Sequence, residues 1–308
     1  MLFRQLEYFV ALAREQHFAR AAAACYVSQP ALSSAIHKLE QELKVTLIYR
    51  GHTFQGLTPE GERLVIWARR ILSEHDSFKA EVQAVKSGLT GTLRLGTVPT
   101  ASTTAALPIE AFAAVHPLAS IRLQTRLSSD ELVRMIAEFE LDAAIMGRDP
   151  ADEAGLETVT LYEEEYLLVV PRELLPDRAS TMAWTDAHRL PLVLLDQRMH
   201  SRRVVDQAFA AHGVVIEPQV ETDSVASLHA LVRTGRWASI VPRSWFYTRA
   251  AAPNSEVVVM PEPVARVEMV VAISAAEPGS LIARSFARTT AALRLDELKA
   301  IGTPAGLL

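Results

Sequence analysis

The stretch SQPALSSAIHKLEQEL, residues 28–43, decides how the N-terminal part of this chain folds. Ser28 is a favoured N-cap residue, and Pro30 suits the first turn of the helix that would follow. Apolar residues recur on one face of that helix, namely Leu32, Ile36, Leu39 and Leu43. Polar residues fall mostly on another face, namely Gln29, Ser33, Ser34 and His37. The stretch therefore predicts an amphipathic helix with a polar outward face.

The segments on either side of this helix complete a small domain. RAAAAC, residues 20–25, predicts a short alanine-rich helix that packs closely, and YVSQ, residues 26–29, turns the chain. An earlier helix is indicated by the spacing of Leu6, Phe9, Val10 and Ala13. TLIYRGHTFQGLT, residues 46–58, has β-branched and aromatic residues around two glycines, which predicts a hairpin. This order is typical of a helix-turn-helix followed by a wing.

A seven-residue repeat begins after Pro59 and continues to about residue 87. Its stripe is formed by Leu64, Ala68, Ile71, His75, Phe78, Val82 and Val85. Charged residues flank the stripe, so the repeat predicts a long helix that pairs with the same helix of a second chain. The alternative is an amphipathic helix packed on its own domain. KSGLTG, residues 86–91, would end the helix and act as a linker.

From Thr92 onward the pattern alternates between strands and helices. Strands are predicted at TLRLGTV (92–98), SIRLQTRL (120–127), LDAAIMG (141–147), YLLVVP (166–171), LPLVLLD (190–196), VVVMPEP (257–263) and VEMVVAIS (267–274). Helices are predicted near residues 104–115, 129–139 and 280–294. This rhythm predicts parallel sheets with helices on both faces, in a block large enough for two lobes.

Composition limits the classes of function that fit. The chain has 308 residues, 49% hydrophobic residues and a net charge of −5, which is ordinary for a globular protein. Its N-terminus lacks the apolar core and cleavage site of a signal peptide, so we expect a cytoplasmic protein. The single cysteine, Cys25, excludes an internal disulfide and a cysteine-rich zinc site. No phosphate-binding loop, GxSxG motif or metal-ligand spacing is present, so we expect no enzyme, no cofactor and no metal.

Three stretches carry a resemblance to a known family. LEYFVALAREQHFARAAAACYVSQPALSSAIHKLEQEL, VTLIYR and LTPEG together cover about the first 65 residues and resemble LysR-type transcriptional regulators. The repeat helix and the α/β block are similar to the same family over the rest of the chain. The resemblance implies an α/β protein with an all-α N-terminal part: a winged helix-turn-helix, a long linker helix, and a two-lobed effector domain built like a periplasmic binding protein.

The resemblance also implies a domain plan and partners. We expect a DNA-binding domain at residues 1–58 and a dimerising linker helix at residues 59–88. Lobe I of the effector domain would comprise residues 89–162 and 267–308, and lobe II residues 163–266. The expected partners are promoter DNA, a small-molecule effector, a homodimer partner joined through the linker helix, and a homotetramer, with no membrane.

Some positions depart from the family pattern. Lys44 stands where a glycine often ends the third helix, and a lysine takes the left-handed conformation only at a cost. Ala19 replaces a common serine or threonine that would cap the second helix. Cys25 is expected to be a buried structural thiol, because a redox switch normally needs a second cysteine. His75 is expected to tune helix packing, with a role as a pH sensor as the alternative.

Candidate DNA contacts lie on the polar face of the third helix and on the wing. Glutamine can pair with adenine edges, serine can bond a base or a phosphate, and arginine suits a phosphate or the minor groove. The candidates are Ser28, Gln29, Pro30, Ser33, Ser34, His37, Lys38 and Arg50. The alternative is a solvated polar helix face with no contact to DNA.

Candidate effector contacts should lie between the lobes, at strand ends and helix N-termini. TVPTAST and LSSDEL place hydroxyls at predicted helix starts in lobe I, and MHSRRVVD places a histidine, a serine and arginines at a helix start in lobe II. The candidates are Thr100, Ala101, Ser102, Thr103, Ser128, Ser129, Arg148, His200, Ser201, Arg202 and Thr222. Hydroxyls, amides and an arginine fit a carboxylate or a small inorganic anion. The alternative is that these residues only cap helices.

The main hypothesis is therefore a sequence-specific transcriptional regulator controlled by a small anion. Two other classes of protein share the α/β plan. A solute-binding protein for transport would need an export signal and no helix-turn-helix, and an enzyme would need a catalytic constellation. The sequence shows neither the export signal nor a catalytic constellation.

Overall fold

The structure is a computed structural model that describes residues 1–50, 53–149, 155–175, 181–247, 255–258, 260 and 264–293. The side chains of Arg50 and of residues 84–87 are outside this description. Three parts follow one another along the chain: a helical domain with a wing, one long helix, and a two-lobed α/β domain. Among the helices of the described residues, none has the length and apolar content needed to cross a membrane.

The N-terminal domain packs three helices around a small apolar core. Its helices are α1 (Phe3–Glu15), α2 (Phe18–Ala24) and α3 (Gln29–Leu43). The fully buried side chains include Leu12, Leu32, Ile36, Leu39 and Leu47. Leu43, predicted on the buried face, is instead 42% exposed in the last turn of α3.

The ends of these helices are capped by specific side chains. The Ser28 hydroxyl accepts a hydrogen bond from the backbone N–H of Ala31 (3.4 Å), as the sequence predicted. Helix α2 uses His17 in place of the expected hydroxyl, since its Nδ1 accepts from the backbone N–H of Ala19 at 3.2 Å. Lys44 ends α3 in the left-handed conformation, with φ 54°, as its place in the family pattern implies. The caps therefore define the helix-turn-helix.

A two-stranded wing and the long helix follow. Strands β1 (Ile48–Arg50) and β2 (Phe54–Leu57) pair antiparallel, as predicted. Helix α4 (Pro59–Ser87) has 29 residues, and its N-cap is Thr58, whose hydroxyl accepts from the Gly61 backbone N–H (3.0 Å). The first half of the predicted stripe, represented by Ala68, is buried against the N-terminal domain, whereas Phe78 is 68% exposed. Val85 of the stripe lies outside the described side chains.

Lobe I of the α/β domain is a mixed sheet covered by helices. Its elements are β3 (Gly91–Thr97), α5 (Ala106–Val115), β4 (Ala119–Gln124), α6 (Ser129–Ala137), β5 (Ala143–Gly147) and α10 (Leu281–Ala291). Strand β3 lies between β4 and β5 and is parallel to both. The predicted βαβ rhythm is therefore present in this lobe.

Lobe II has its own strands and helices. They are α7 (Trp184–Ala187), β7 (Val193–Leu195), α8 (His200–Ala211), β8 (Val220–Thr222), α9 (Val225–Arg233), β9 (Ser239–Pro242) and β10 (Ser255–Val258). Strands β7 and β8 pair in parallel. Strand β9 was not predicted from the sequence, and it pairs with a strand shared by both lobes.

Two strands at the junction of the lobes make the sheet mixed, which corrects the prediction of parallel sheets. They are β6 (Leu156–Pro171), which pairs with strands of both lobes, and β11 (Arg266–Ser274), which starts at the junction and pairs with β5 and with the first part of β6. Strand β6 pairs antiparallel with β11 up to Glu165 and antiparallel with β9 from Tyr166 onward. A strand that leaves one lobe must be matched by one that returns, so these strands run in opposite directions. The residue boundaries that we assigned to the lobes stay a prediction.

Candidate functional site

The exposed side of α3 presents the polar residues predicted to touch DNA. Gln29, Pro30, Ser34, His37 and Lys38 are exposed, Ser33 is half-buried, and Ser28 is exposed with its hydroxyl engaged in the N-cap. The opposite side of the helix is buried in the domain core. The helix therefore offers one apolar and one polar face, as its sequence pattern requires.

On this face, the side chain of His37 contacts two neighbouring side chains. The His37 ring nitrogen Nε2 lies 3.0 Å from the amide nitrogen of Gln41, and its Nδ1 lies 3.7 Å from the buried carboxylate of Glu40. Glu40 also accepts a hydrogen bond from the Leu47 backbone N–H (2.9 Å), which ties the end of α3 to the wing. The side chain of Arg50, the predicted wing contact, lies outside the described residues.

A cleft of about 830 Å³ lies between the two lobes of the α/β domain. Lobe I contributes the loop before α5 and the start of α6, and lobe II contributes the starts of α8 and α9. Tyr166 on β6 and Met269 on β11 line the cleft as well. Three helix N-termini thus meet at one cavity, where their unpaired N–H groups favour negative charge.

Six of the predicted effector residues line this cleft. They are Thr100, Ser102, Ser128, Ser129, His200 and Ser201. Ser129 is only 2% exposed, and its hydroxyl has no hydrogen-bond partner among the described residues. An unpartnered buried hydroxyl is uncommon in folded proteins, so it marks a position where a ligand atom can bind.

The loop before α5 differs from its prediction. Residues Pro99–Ala101 form a 3₁₀ turn, and α5 begins only at Ala106, so Thr100, Ser102 and Thr103 do not start an α-helix. The Ser102 hydroxyl donates to the Pro99 carbonyl oxygen (2.8 Å), which reduces its availability to a ligand. Ala101 is buried and does not line the cleft, and neither does Thr103.

Three further candidates point away from the cleft. Arg202 is 2% exposed, and its guanidinium donates to Asp206 (2.7 Å), the Leu195 carbonyl (2.7 Å) and Glu221 (2.9 Å). Each helical residue turns about 100° from its predecessor, so the helix that directs His200 and Ser201 to the cleft turns Arg202 into the lobe. These bonds hold α8 against β7 and β8, and Arg202 is therefore structural.

Arg148 and Thr222 are engaged within their own lobes. The Arg148 guanidinium forms an ion pair with Glu268 (2.7 Å) across two neighbouring strands. The Thr222 hydroxyl accepts a hydrogen bond from the Ser224 backbone N–H (3.1 Å), which shapes the turn into α9. Neither residue lines the cleft.

Six charged residues of the cleft were not among those predicted from the sequence. These are Arg126, Asp130, Glu131, Asp196, Arg198 and Asp223. Asp196 and Asp223 directly follow β7 and β8, whose carboxyl ends are the usual ligand edge of parallel strands. That position in the chain was the signal that could have found them.

Two of these carboxylates are satisfied within the protein. Asp196 accepts hydrogen bonds from the side chain and backbone of Arg198, which lower the pKa of Asp196 to about 2. Glu131 accepts from the backbone N–H and the hydroxyl of Ser128 (2.8 and 2.9 Å), and these bonds lower the pKa of Glu131. No group of three or more histidine, cysteine or acidic residues in the described ranges is placed to hold a metal ion.

The floor between the lobes contains a buried polar cluster on the crossing strand. Glu164 is 4% exposed and accepts hydrogen bonds from the backbone N–H and the hydroxyl of Ser244 in lobe II. Burial raises the pKa of Glu164 against the opposing effect of these bonds. The hydroxyl oxygen of Tyr162 lies 3.0 Å from the hydroxyl oxygen of Thr104 in lobe I. The cluster thus joins polar groups of both lobes at the crossing point.

The linker helix is also tied to lobe I, at the end of α6 that faces away from the cleft. The Arg69 guanidinium of α4 forms ion pairs with Glu138 (3.2 Å) and Glu140 (2.6 Å), just after α6. Because the other end of α6 lines the cleft, this short helix touches the cleft at one end and the linker helix at the other.

Comparisons with known proteins cover both parts of the chain. Residues 3–62 match the family model described as bacterial regulatory helix-turn-helix protein, lysR family. Residues 86–293 match the family model described as LysR substrate binding domain.

Individual relatives span nearly the whole chain. The hydrogen peroxide-inducible genes activator of Haemophilus influenzae is 28% identical over 306 residues, which cover 98% of this chain and 98% of that protein. A full-length cysteine-to-aspartate variant of OxyR from Pseudomonas aeruginosa is 27% identical, with a TM-score of 0.76 and coverage of 96% and 99%. Full-length CbnR in complex with its target DNA is 25% identical, with a TM-score of 0.65 and coverage of 94% and 99%.

Proposed function

Since the chain belongs to the LysR family of transcriptional regulators, we propose that it recognises one operator sequence and that a small effector with a carboxylate or another anionic group, bound between its lobes, controls this activity. DNA-binding regulation is the function of the family, and the relatives described above are regulators and not enzymes. The choice of operator and of effector depends on this chain's own residues.

The observation that carries the DNA-binding proposal is the exposed polar face of α3. Gln29 stands exposed in its first turn and forms no side-chain hydrogen bond with a described residue, and the helix N-terminus can meet a phosphate through its backbone N–H groups. Lys38 is exposed and makes no ion pair with a described residue. We assign base reading to Gln29, Pro30, Ser33 and His37, and phosphate contact to Ser28, Ser34 and Lys38. Arg50 keeps its proposed wing contact.

The effector proposal is supported by the cleft. Its volume of about 830 Å³ suits a small ligand, and three helix N-termini and the unpartnered hydroxyl of Ser129 meet there. We assign the contacts to Thr100, Ser128, Ser129, His200 and Ser201. Ligand binding that favours one lobe arrangement would shift the protein between two DNA-bound shapes.

Control by thiol oxidation in the effector domain is not supported, although one relative is a hydrogen peroxide-inducible genes activator. The only cysteine, Cys25, lies at the end of α2 in the DNA-binding domain. Burial raises the pKa of the Cys25 thiol, which lowers its reactivity, and the sequence contains no second cysteine to resolve a sulfenic acid.

We propose that the active form is a homodimer through α4, with two dimers forming a tetramer. The exposed apolar residues Trp67, Phe78 and Val82 on α4 support this pairing. A dimer would place two copies of α3 about one turn of DNA apart, roughly 34–36 Å.

An electrophoretic mobility shift experiment tests the DNA-binding proposal. The probe is the DNA upstream of the protein's own gene, with unrelated DNA as competitor. Gln29→Ala should weaken specific binding by about 5-fold to 150-fold and leave non-specific binding unchanged, because a good bidentate pair discriminates by about 1–3 kcal/mol. Gln207→Ala, an exposed glutamine on α8, is the matched control. The absence of a specific complex with the wild-type protein would contradict the proposal.

Thermal unfolding in the presence of small anions tests the effector proposal. The panel contains sulfate, phosphate and small carboxylates with and without amino groups. A ligand that binds only the folded protein raises the melting temperature in proportion to RT ln(1 + [L]/Kd). Ser129→Ala should reduce this shift. A panel without any stabilising compound would contradict this part of the proposal while leaving the DNA-binding part intact.

A further inference from the structure

We infer that the effector is a small amino acid, whose carboxylate binds at the start of α8 beside Ser129 and whose ammonium group binds Asp223. This inference rests on the proposed function, because it names the chemical class of the ligand for the same cleft. It follows from which charges of the cleft are satisfied within the protein and which are not.

The charges that line the cleft do not favour a bare anion. Two arginines and four carboxylates line it, a formal net charge of −2 when His200 is neutral. A ligand with negative charge alone would face this surplus in a partly desolvated cavity, where like charges repel more strongly than in water.

Two of the four carboxylates of the cleft and one of its two arginines are already bound by other residues of the protein. Asp196 and Arg198 bind one another through both carboxylate oxygens (both 3.0 Å). Glu131 is held by Ser128 in a capping box. Within the part of the chain that the structure describes, the cleft residues Arg126, Asp130 and Asp223 form no hydrogen bond or ion pair. One positive and two negative side chains therefore remain for a ligand.

The start of α8 is the best place for the ligand's carboxylate. This helix has 12 residues, its N-cap residue Met199 provides no side-chain cap, and its first turn contains no acidic residue. The first turn of α6, in contrast, already carries Asp130 and Glu131. Unsatisfied N–H groups at a helix N-terminus favour an anion. Across the cleft, the buried and unpartnered hydroxyl of Ser129 offers a hydrogen bond to the same group.

Asp223 is the best place for the ligand's ammonium group. It follows β8, next to Asp196 at the end of the parallel neighbour β7, so two carboxylates meet at one strand edge. Arg198 is bound by Asp196, and Asp223 acts on it only as a charge at longer range. Asp130 has a local role, since acidic residues in a first turn stabilise their helix. Asp223 precedes the N-cap of α9, outside the helix.

A different role for Asp223 is an ion pair with Arg126 of lobe I when the lobes close. In that case Asp223 would support closure around any ligand, whether or not the ligand carries an ammonium group. The two roles differ in whether the ammonium group matters, and matched ligands separate them.

The experiment is a titration calorimetry and thermal-unfolding series on the full-length protein. The probes are the standard L-amino acids, each with its 2-oxo acid, which lacks the ammonium group, and its decarboxylated amine. At least one amino acid should bind, and its two partners should bind at least about tenfold more weakly, because a hydrogen bond to a charged group contributes enough for such a difference.

Variants locate the ammonium group. Asp223→Asn should weaken binding of the amino acid at least about tenfold, and it should leave the affinity for the 2-oxo acid unchanged or slightly higher. Ser129→Ala should weaken binding of both the amino acid and the 2-oxo acid. Asp186→Asn is the matched control, because Asp186 is an exposed carboxylate of lobe II that does not line the cleft, and it should change neither.

Three outcomes would overturn the inference. The first is a 2-oxo acid that binds as tightly as its amino acid, which would leave an anionic effector in place. The second is an equal loss of affinity for the amino acid and the 2-oxo acid in Asp223→Asn, which would indicate that Asp223 forms the ion pair with Arg126. The third is a panel in which no amino acid binds. None of these results affects the mobility shift with operator DNA, so failure of the regulator proposal remains distinguishable.

Discussion

At the residue scale, Glu164 shows how one buried group links stability to pH. Its carboxyl lies at the crossing of the lobes, with Ser244 bonded to it and Tyr162 and Arg243 acting on it. Its pKa is raised by burial, so the folded state holds the proton more tightly than the unfolded state does. The resulting stability is fully present below the unfolded pKa of about 4.3 and is lost as the pH rises through the folded pKa.

Glu164→Gln should remove this loss, because the amide stays neutral at every pH. The melting temperature of the variant relative to the wild type should therefore increase as the pH rises from about 4.5 towards 8. The measurement is the melting temperature of both proteins across that range.

Glu163→Gln is the control for this prediction. Glu163 is the exposed neighbour on the same strand, so its replacement should leave the pH dependence unchanged. A constant difference between Glu164→Gln and the wild type at all pH values would show that the proton on Glu164 has no effect on folding.

Lys44 shows a second residue-scale effect, the cost of backbone conformation. Lys44→Gly should raise the free energy of unfolding of the DNA-binding domain by about 1 kcal/mol, because glycine takes the left-handed conformation without strain. Lys38→Gly, within the same helix, should lower it by about 1 kcal/mol. Urea denaturation of the full-length variants measures both. A destabilised Lys44→Gly would mean that the lysine side chain contributes more than the strain removes.

At the element scale, helix α6 connects the cleft to the linker helix. Its N-terminus carries Ser128 and Ser129 at the cleft, and the turn after it carries Glu138 and Glu140, which bind Arg69 of α4. The helix has nine residues and is only about 13 Å long, so a displacement of its cleft end as a rigid body would also displace the end that binds Arg69. This arrangement offers a direct route from ligand to linker.

Arg69→Gln tests the strength of this contact. The variant should lower the free energy of unfolding by about 1–2 kcal/mol, since a guanidinium that is only 14% exposed leaves two carboxylates with fewer partners. Arg63→Gln on the same helix should change it by less than about 0.5 kcal/mol, because Arg63 is 77% exposed and 4.0 Å from Glu60. Equal effects in the two variants, measured by chemical denaturation, would show that the contact between α4 and α6 is weak.

At the scale of the whole molecule, the exposed apolar face of α4 should determine assembly. Phe78→Asp should raise the dimer dissociation constant at least about tenfold, because each dimer would lose two buried aromatic side chains. Analytical ultracentrifugation measures this constant. Asp76→Lys, a charge change on the far side of the helix from Phe78, should leave assembly unchanged. An unaltered Phe78→Asp dimer would place the interface elsewhere.

The same scale shows how much of the site the sequence could predict. Six cleft residues were predicted because hydroxyls and helix starts can be found from sequence alone. Arg202 was predicted to face the cleft. Its partner Glu221 is 19 positions away in the sequence, so a local sequence pattern could not identify this ion pair. Asp223 was missed because only the pairing of β7 with β8 brings it beside Asp196.

The sequence by itself determined the local elements: the capped helix at residues 28–43, the wing, the long helix and the alternation of strands and helices in lobe I. These depend on periodicity and on caps, which act over one or two turns of chain. The tertiary structure alone decided which strands run antiparallel, which arginines are buried in ion pairs, and which charges of the cleft remain unsatisfied. Those features depend on the direction of each side chain relative to distant partners, and short-range pattern does not contain that direction.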